Sequence, residues 1–310
     1  MSLTYRSRSN IRETPFSDRS SVRFTPVRRK DTVGGVLINP RYDPPGILSL
    51  DGPADAIREP LIRQRRRLAE IGAGLSTDDW AAPSRCDGWR VQDVFAHLVG
   101  VDGFWFLSTS AGLAGDPTRI LGAFDPAATP AAMVDATRNQ SARETLDQFV
   151  AASEQFIALV EGLDAADFER VAESPPGHVT IGALAHHALW DAWTHERDIL
   201  EPLGRTQVAR DDEIAACLRY CAAMGPALQL QTGPSRPGTY AIVATDPGIE
   251  CTLVVDDSVR VREGVATNAP TLAGTAIGLI DALTVRCPLP PTAPNDWHEL
   301  RSGLATAFDQ

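Results

Sequence analysis

The sequence predicts an all-α four-helix bundle, up-down with one long crossover, followed by a small α+β domain. Between residues 51 and 205, four segments repeat their apolar side chains at helical spacing. A connection rich in Gly, Pro and Ala separates the second segment from the third, long enough for a crossover. After Gly204-Arg205 the texture changes to short β-like runs set between helical ones. These three observations divide the chain into a basic, disordered tail over residues 1–50, the bundle over 51–205 and the second domain over 206–310.

At 310 residues and 43% hydrophobic content, the chain is long enough for two cores. The formal net charge of −11 is unevenly spread, because the first 50 residues carry nine basic and four acidic side chains and the remainder is strongly acidic. An acidic body excludes a nucleic-acid surface. No apolar run approaches the roughly 20 residues that cross a bilayer, and the N-terminus lacks the apolar core of a signal peptide. The expectation is therefore a cytoplasmic protein without a membrane partner. Cys86, Cys217, Cys221, Cys251 and Cys287 are odd in number and contain no Cys-x-x-Cys pair. Cys217 and Cys221, one helical turn apart, read as small buried side chains.

The tail shows no sustained period of 2 or 3.6 and is broken by prolines, as at Pro26 and Pro44-Pro45. The first helix is expected from about Pro53 to Leu75, with Ile57, Leu61, Leu68, Ile71 and Leu75 on one face. Arg63, Arg65, Arg66 and Arg67 fall mostly off that stripe and read as a solvated face. Ser76-Thr77-Asp78-Asp79 supplies capping residues. Asp87-Gly88 marks a turn before the second helix, whose stripe is Val91, Val94, Leu98, Val101 and Trp105, with His97 on the same side. The connection from Gly112 to about Thr137 has room for a short helix. The third helix covers about Ala142 to Leu163. Beyond Ser174-Pro175-Pro176-Gly177 comes the fourth, from Gly182 to Leu203. In the second domain a helix is expected from Asp211 to Met224, then strands at Tyr240–Ala244, Cys251–Val255 and Val259–Arg262, the last two joined as a hairpin. Helical period returns over Ala269–Val285 and Trp297–Phe308.

The fourth helix carries the chemistry. Leu184, Ala188, Asp191, His195 and Ile199 share one face, and that face is apolar except at Asp191 and His195. A carboxylate and an imidazole one turn apart inside a core-facing stripe are costly to bury unless something pairs with them. A metal ion is such a partner, with His97 from the second helix as a third ligand and an open position for water or substrate. His187, one turn before Asp191, is an alternative ligand. His186 is expected to face outward, and His178 and His298 have no identifiable partner.

The segments Gly88-Trp89-Arg-Val-Gln-Asp93-Val-Phe-Ala-His97-Leu98 and Asp191-x-x-x-His195-x-x-Asp198-Ile199 resemble the mycothiol-dependent maleylpyruvate isomerase family. The likeness extends from about Pro53 to Phe308. It implies a DinB-like four-helix metal-binding domain, a C-terminal domain related to sterol-carrier folds, and a Zn2+ ion, or another divalent metal, held by His97, Asp191 and His195. The family has Glu where this chain has Asp191, which pulls the carboxylate back by roughly 1.5 Å. The resemblance further implies mycothiol as cofactor, bound as thiolate, and a small electrophilic substrate as partner. Addition of the thiolate to a double bond, rotation and elimination would give cis-trans isomerisation, and release of the adduct would give S-transfer. Arg286 aligns with an arginine that the family's C-terminal domain carries near this point, a group able to bind a substrate or cofactor carboxylate, with surface capping of a helix C-terminus as its other reading, and Asp198 is placed to orient His195. Two other readings remain open: a zinc hydrolase on the same bundle, and a non-catalytic binding protein whose metal site Asp191 has weakened. Oligomeric state is not legible.

Overall fold

The computed structural model describes residues 37–308 apart from 45, 123, 124, 127 and 234, with the backbone alone over 305–308. Residues 1–36 of the expected tail lie outside the described residues. Its last part departs from expectation: Ile38 and Ile47 are fully buried, and β1 (Leu48–Leu50) pairs in parallel with residues 259–261. These apolar residues are isolated among prolines and polar groups, so they show no period. Each is nevertheless buried by a partner far along the chain. Arg41 bonds the backbone of Pro176 and His178. The conformation of Gly177 there, with φ +121° and a Cβ position 2.0 Å from the Arg41 carbonyl oxygen, admits only glycine.

A 3-10 turn over Ala54–Ile57 opens α1 (Arg58–Ala73). Ser76 then caps α2 (Thr77–Ala81), its hydroxyl accepting from the Asp79 N–H while the Asp79 carboxylate accepts from the Ser76 N–H. Next come α3 (Val91–Leu113), α4 (Ala128–Thr137) within the long connection, α5 (Ala142–Glu161) and the single turn α6 (Ala165–Phe168). The Pro175-Pro176 breaker is the tip of an antiparallel ribbon, β2 (Val171–Ser174) with β3 (Gly177–Thr180), which the sequence pattern did not reveal. Thr180 caps α7 (Ile181–Leu200).

Among these helices α1 and α3 each pack against both α5 and α7. Small residues permit the close approaches. A Cβ added at Gly112 of α3 would lie 2.3 Å from the Val171 carbonyl oxygen of β2. Gly112→Ala is therefore expected to cost about 1–3 kcal/mol by overpacking, read as a lower thermal midpoint, and an unchanged midpoint would contradict the contact.

Of the α1 arginines expected on a solvated face, Arg66 is exposed, Arg63 and Arg67 are half-buried, and Arg65 is not solvated at all. Arg65 is fully buried, its guanidinium donating to Asp102 of α3 at 2.9 and 3.2 Å and to the Ala188 carbonyl of α7 at 2.9 Å. Ser153 of α5 donates to the second Asp102 oxygen at 2.7 Å, so one buried charge pair joins four helices. Burial of a charge demands such partners, and they come from distant segments that helical period alone does not identify.

The C-terminal part consists of α8 (Asp211–Thr232), β4 (Gly238–Thr245), β5 (Ile249–Val255), β6 (Val259–Glu263), β7 (Thr271–Thr275), α9 (Ala276–Leu283) and α10 (Asn295–Phe308). Its mixed sheet has the order β1-β6-β5-β4-β7, with β1 parallel to β6, β7 parallel to β4 and the other pairs antiparallel. The expected β5–β6 hairpin is present, with Leu253 opposite Val261. The helical period read over 269–285 holds only from Ala276. Thr271–Thr275, a run of small and β-branched residues, is a strand paired with β4, and Thr275 caps α9 by accepting from the Gly278 N–H.

The division expected at residue 205 falls between α7 and α8, and the hydrophobic core is continuous across it. Leu184, Trp193, Tyr220, Leu253 and Val261 belong to one buried cluster. Helix α8 packs on α1 and α7 as well as on β5, β6, α9 and α10, which links the helical region to the sheet. Among the described residues no helix is long and apolar enough to cross a membrane.

Candidate metal centre

Helix α7 presents Asp191 and His195 one turn apart, and α3, packed across it, presents His97. Ala192 lies buried in the cluster that includes Val94, Phe95 and Leu98 of α3. The three polar side chains converge: His97 Nε2 lies 3.7 Å from Asp191 Oδ2, and His195 Nε2 lies 3.6 Å from Asp191 Oδ1. The two imidazole rings meet edge to face with centroids 4.9 Å apart. Trp89, just before α3, packs against the His97 ring at 5.5 Å.

These separations are too long for hydrogen bonds. They are close to the roughly 3.3 Å edge between donors around a tetrahedral ion with bonds near 2.05 Å. One ligand atom from each of the three groups lies within 4.8 Å of the others. Asp191 Oδ2 is buried without a hydrogen-bond partner. A buried carboxylate between two imidazole nitrogens, with one oxygen orphaned, is what a divalent cation would satisfy, so the residues present fit the group that the resemblance implies. The shorter side chain of Asp191 still reaches both rings.

Electrostatics agree with this reading at Asp191 and oppose it at His195, where a metal ion must displace a proton from the ring. Burial alone would push the Asp191 carboxyl up, but His97 and His195 outweigh it and hold the group well below the usual carboxylate range. It is therefore an anion and competent to ligate. Burial also disfavours the charged His195, yet Cys86, Asp198 and Asp191 hold its pKa well above the ordinary imidazole value.

Behind His195 lies a second layer. Its Nδ1 is 3.0 Å from Asp198 Oδ2. Asp198 is fully buried and accepts from Arg85 Nε at 3.0 Å, Arg286 Nε at 3.2 Å and Arg286 Nη2 at 2.6 Å. The Cys86 thiol donates to the same Oδ2 at 3.3 Å and lies 3.6 Å from His195 Nδ1. Arg286, expected to meet a substrate carboxylate, is thus engaged with Asp198 on the far side of His195 from Asp191. Arg85 and Cys86 were read from the sequence only as part of the connector before α3. Their sole local signal is the Asp87-Gly88 turn that folds this connector against the end of α7, where the Arg85 N–H donates to the Asp198 carbonyl.

The other histidines separate from this cluster. His187 Nδ1 is engaged by Tyr220 Oη at 2.7 Å and Ser174 Oγ at 3.1 Å, inside a box of Trp105, Trp190 and Tyr220 rings. Burial pushes its pKa down to about 4, which keeps the ring neutral. His186 bonds the Gly182 carbonyl, His178 meets the Thr118 carbonyl, and His298 is exposed on α10. Of the two alternatives for the third ligand, Asp191 stands between His97 and His195 and His187 does not.

The helical region continued by a mixed sheet is similar in fold to solved mycothiol-dependent maleylpyruvate isomerase structures. Two crystal structures carry that likeness: the mycothiol-dependent maleylpyruvate isomerase, at TM-score 0.54 and 11% identity, and its histidine-to-alanine variant, at TM-score 0.55 and 10% identity. Each alignment covers 76% of this chain and 91% of the other. Residues 61–200 match the family model of the mycothiol maleylpyruvate isomerase N-terminal domain. No curated protein matches it in sequence.

Proposed function

We propose that this protein is a cytoplasmic, metal-dependent enzyme that uses mycothiol to transfer to, or isomerise, a small electrophilic substrate. The observation that carries the reading is the convergence of His97, Asp191 and His195 from two helices, with Asp191 Oδ2 buried and unpartnered. The family of residues 61–200 and the fold supply the thiol. We read the four helices α1, α3, α5 and α7 as a DinB-like bundle whose core these three side chains occupy.

A Zn2+ ion bound there would lower the pKa of a coordinated thiol and keep it as the nucleophilic thiolate. This chain's residues have separate tasks. Asp191 would bring the negative charge, His97 and His195 would each bring a ring nitrogen, and Asp198 would fix the His195 ring through Nδ1. Trp89 shields His97 from water. Three protein ligands leave a further position open to the thiol.

The test is a turnover assay of the metal-loaded protein with maleylpyruvate and other electrophilic alkenes, each with mycothiol, with glutathione and without thiol. Mycothiol-dependent consumption of at least one electrophile is expected, and it should vanish in His195→Ala. Turnover that proceeds equally without thiol would instead assign a hydrolase. No turnover across the panel would refute the enzymatic reading.

A further inference from the structure

We propose that Arg286 and Arg85 are positioning residues for His195, acting on it through Asp198. The proposal rests on the metal reading above and adds to it a dependence of the metal site on the end of α9.

The Asp198 carboxylate is held from three segments of the chain. Arg85 and Arg286 both donate to Oδ1, while Arg286, Cys86 and the His195 ring share Oδ2. A carboxylate so bound cannot rotate. Its Oδ2 therefore fixes the plane of the His195 imidazole and holds a proton on Nδ1, which makes Nε2, facing Asp191, the nitrogen available to a metal ion.

Three of the five N–H donors of the Arg286 guanidinium are engaged within the protein in this arrangement. Its Nε and Nη2 go to Asp198, and Nη1 donates to the Thr284 carbonyl at 3.0 Å. The backbone that delivers it is unusual. Helix α9 ends with the Arg286 N–H on the Asp281 carbonyl at 2.8 Å and the Val285 N–H on the Ala282 carbonyl at 3.3 Å, a closure in which glycine is the common residue at position 285. Here that residue is a β-branched valine at φ +66°. A strained residue immediately before an arginine that reaches a buried carboxylate marks a direction held by its surroundings. Asp281 joins the same assembly, accepting from Arg85 Nη2 at 3.0 Å and from Arg197.

Arg197 supplies the control. It ties α7 to α9 through Asp281 and pairs with Glu201, yet makes no bond to Asp198. Removing it loosens the same two helices without freeing the carboxylate.

The experiment measures Zn2+ affinity of the metal-free full chain by competition with a chromogenic chelator, together with the visible spectrum of the Co2+-loaded protein. Arg286→Ala and Asp198→Asn are expected to weaken Zn2+ binding by about 10- to 100-fold, the range for groups that orient a ligand. Both should shift the Co2+ bands. Arg286→Lys should recover part of the loss, since an ammonium can serve one carboxylate oxygen but not the fork of two. Arg197→Ala should leave affinity and spectrum as in the wild type. Wild-type affinity and spectrum in a folded Arg286→Ala protein would overturn the proposal, and so would an equal loss in Arg197→Ala. If Arg286→Ala does not fold, Asp198→Asn decides, and wild-type values there overturn it. A wild-type protein that takes up no divalent cation would refute the metal reading itself, which separates the two failures.

Discussion

His195→Ala is expected to lower Zn2+ affinity by more than about 100-fold, beyond the upper limit for residues that only orient a ligand. The substitution removes one of three donors and leaves Asp198 with two arginines and no imidazole. His97→Ala should lose a similar amount, because Asp191 Oδ2 would then have no nitrogen opposite it. His187→Ala should retain near wild-type affinity, since that ring is bonded to Tyr220 and Ser174 outside the cluster. Chelator competition on the three variants decides among these outcomes. Equal affinities for His187→Ala and His195→Ala would show that the wrong ligands have been assigned.

Arg65→Ala is expected to destabilise the fold by about 3–5 kcal/mol, because it strands a buried carboxylate at Asp102. For a chain of this size that corresponds to a fall of about 5–8 °C in the thermal midpoint. The exposed pair Arg66–Glu161, with side chains 50% and 47% accessible, gives the contrast: Arg66→Ala should move the midpoint by less than about 2 °C. Replacing both buried partners, as Arg65→Met with Asp102→Leu, should recover part of the loss, since two apolar side chains no longer need each other's charge. A thermal midpoint for Arg65→Ala equal to that of Arg66→Ala would contradict the burial of this pair.

Much of the helical region was legible because its periods are local. The stripes of α1, α3, α5 and α7 are written in consecutive turns, and the capping run at Ser76–Asp79 states its own hydrogen bonds. The inward position of Asp191 and His195 follows from the same periodicity. What the sequence hid is non-local. Thr271–Thr275 is a strand only because β4 lies beside it, and β1 only because β6 does. Arg65 looked solvated because its partners lie on other helices. Arg286 was expected near a ligand by resemblance, whereas its guanidinium meets Asp198, a pairing visible only once α9 and α7 are brought together. Arg85 and Cys86 lie in a connector with no period at all, where the Asp87-Gly88 turn alone hints that the chain folds back.

X-ray diffraction from crystals of the Zn2+-loaded protein at the zinc absorption edge tests the metal centre most directly. The expected result is one anomalous peak about 2.0–2.2 Å from the Nε2 atoms of His97 and His195 and from an Asp191 carboxylate oxygen. A bound zinc located elsewhere, or a stoichiometrically loaded protein with no peak between those three side chains, would contradict it.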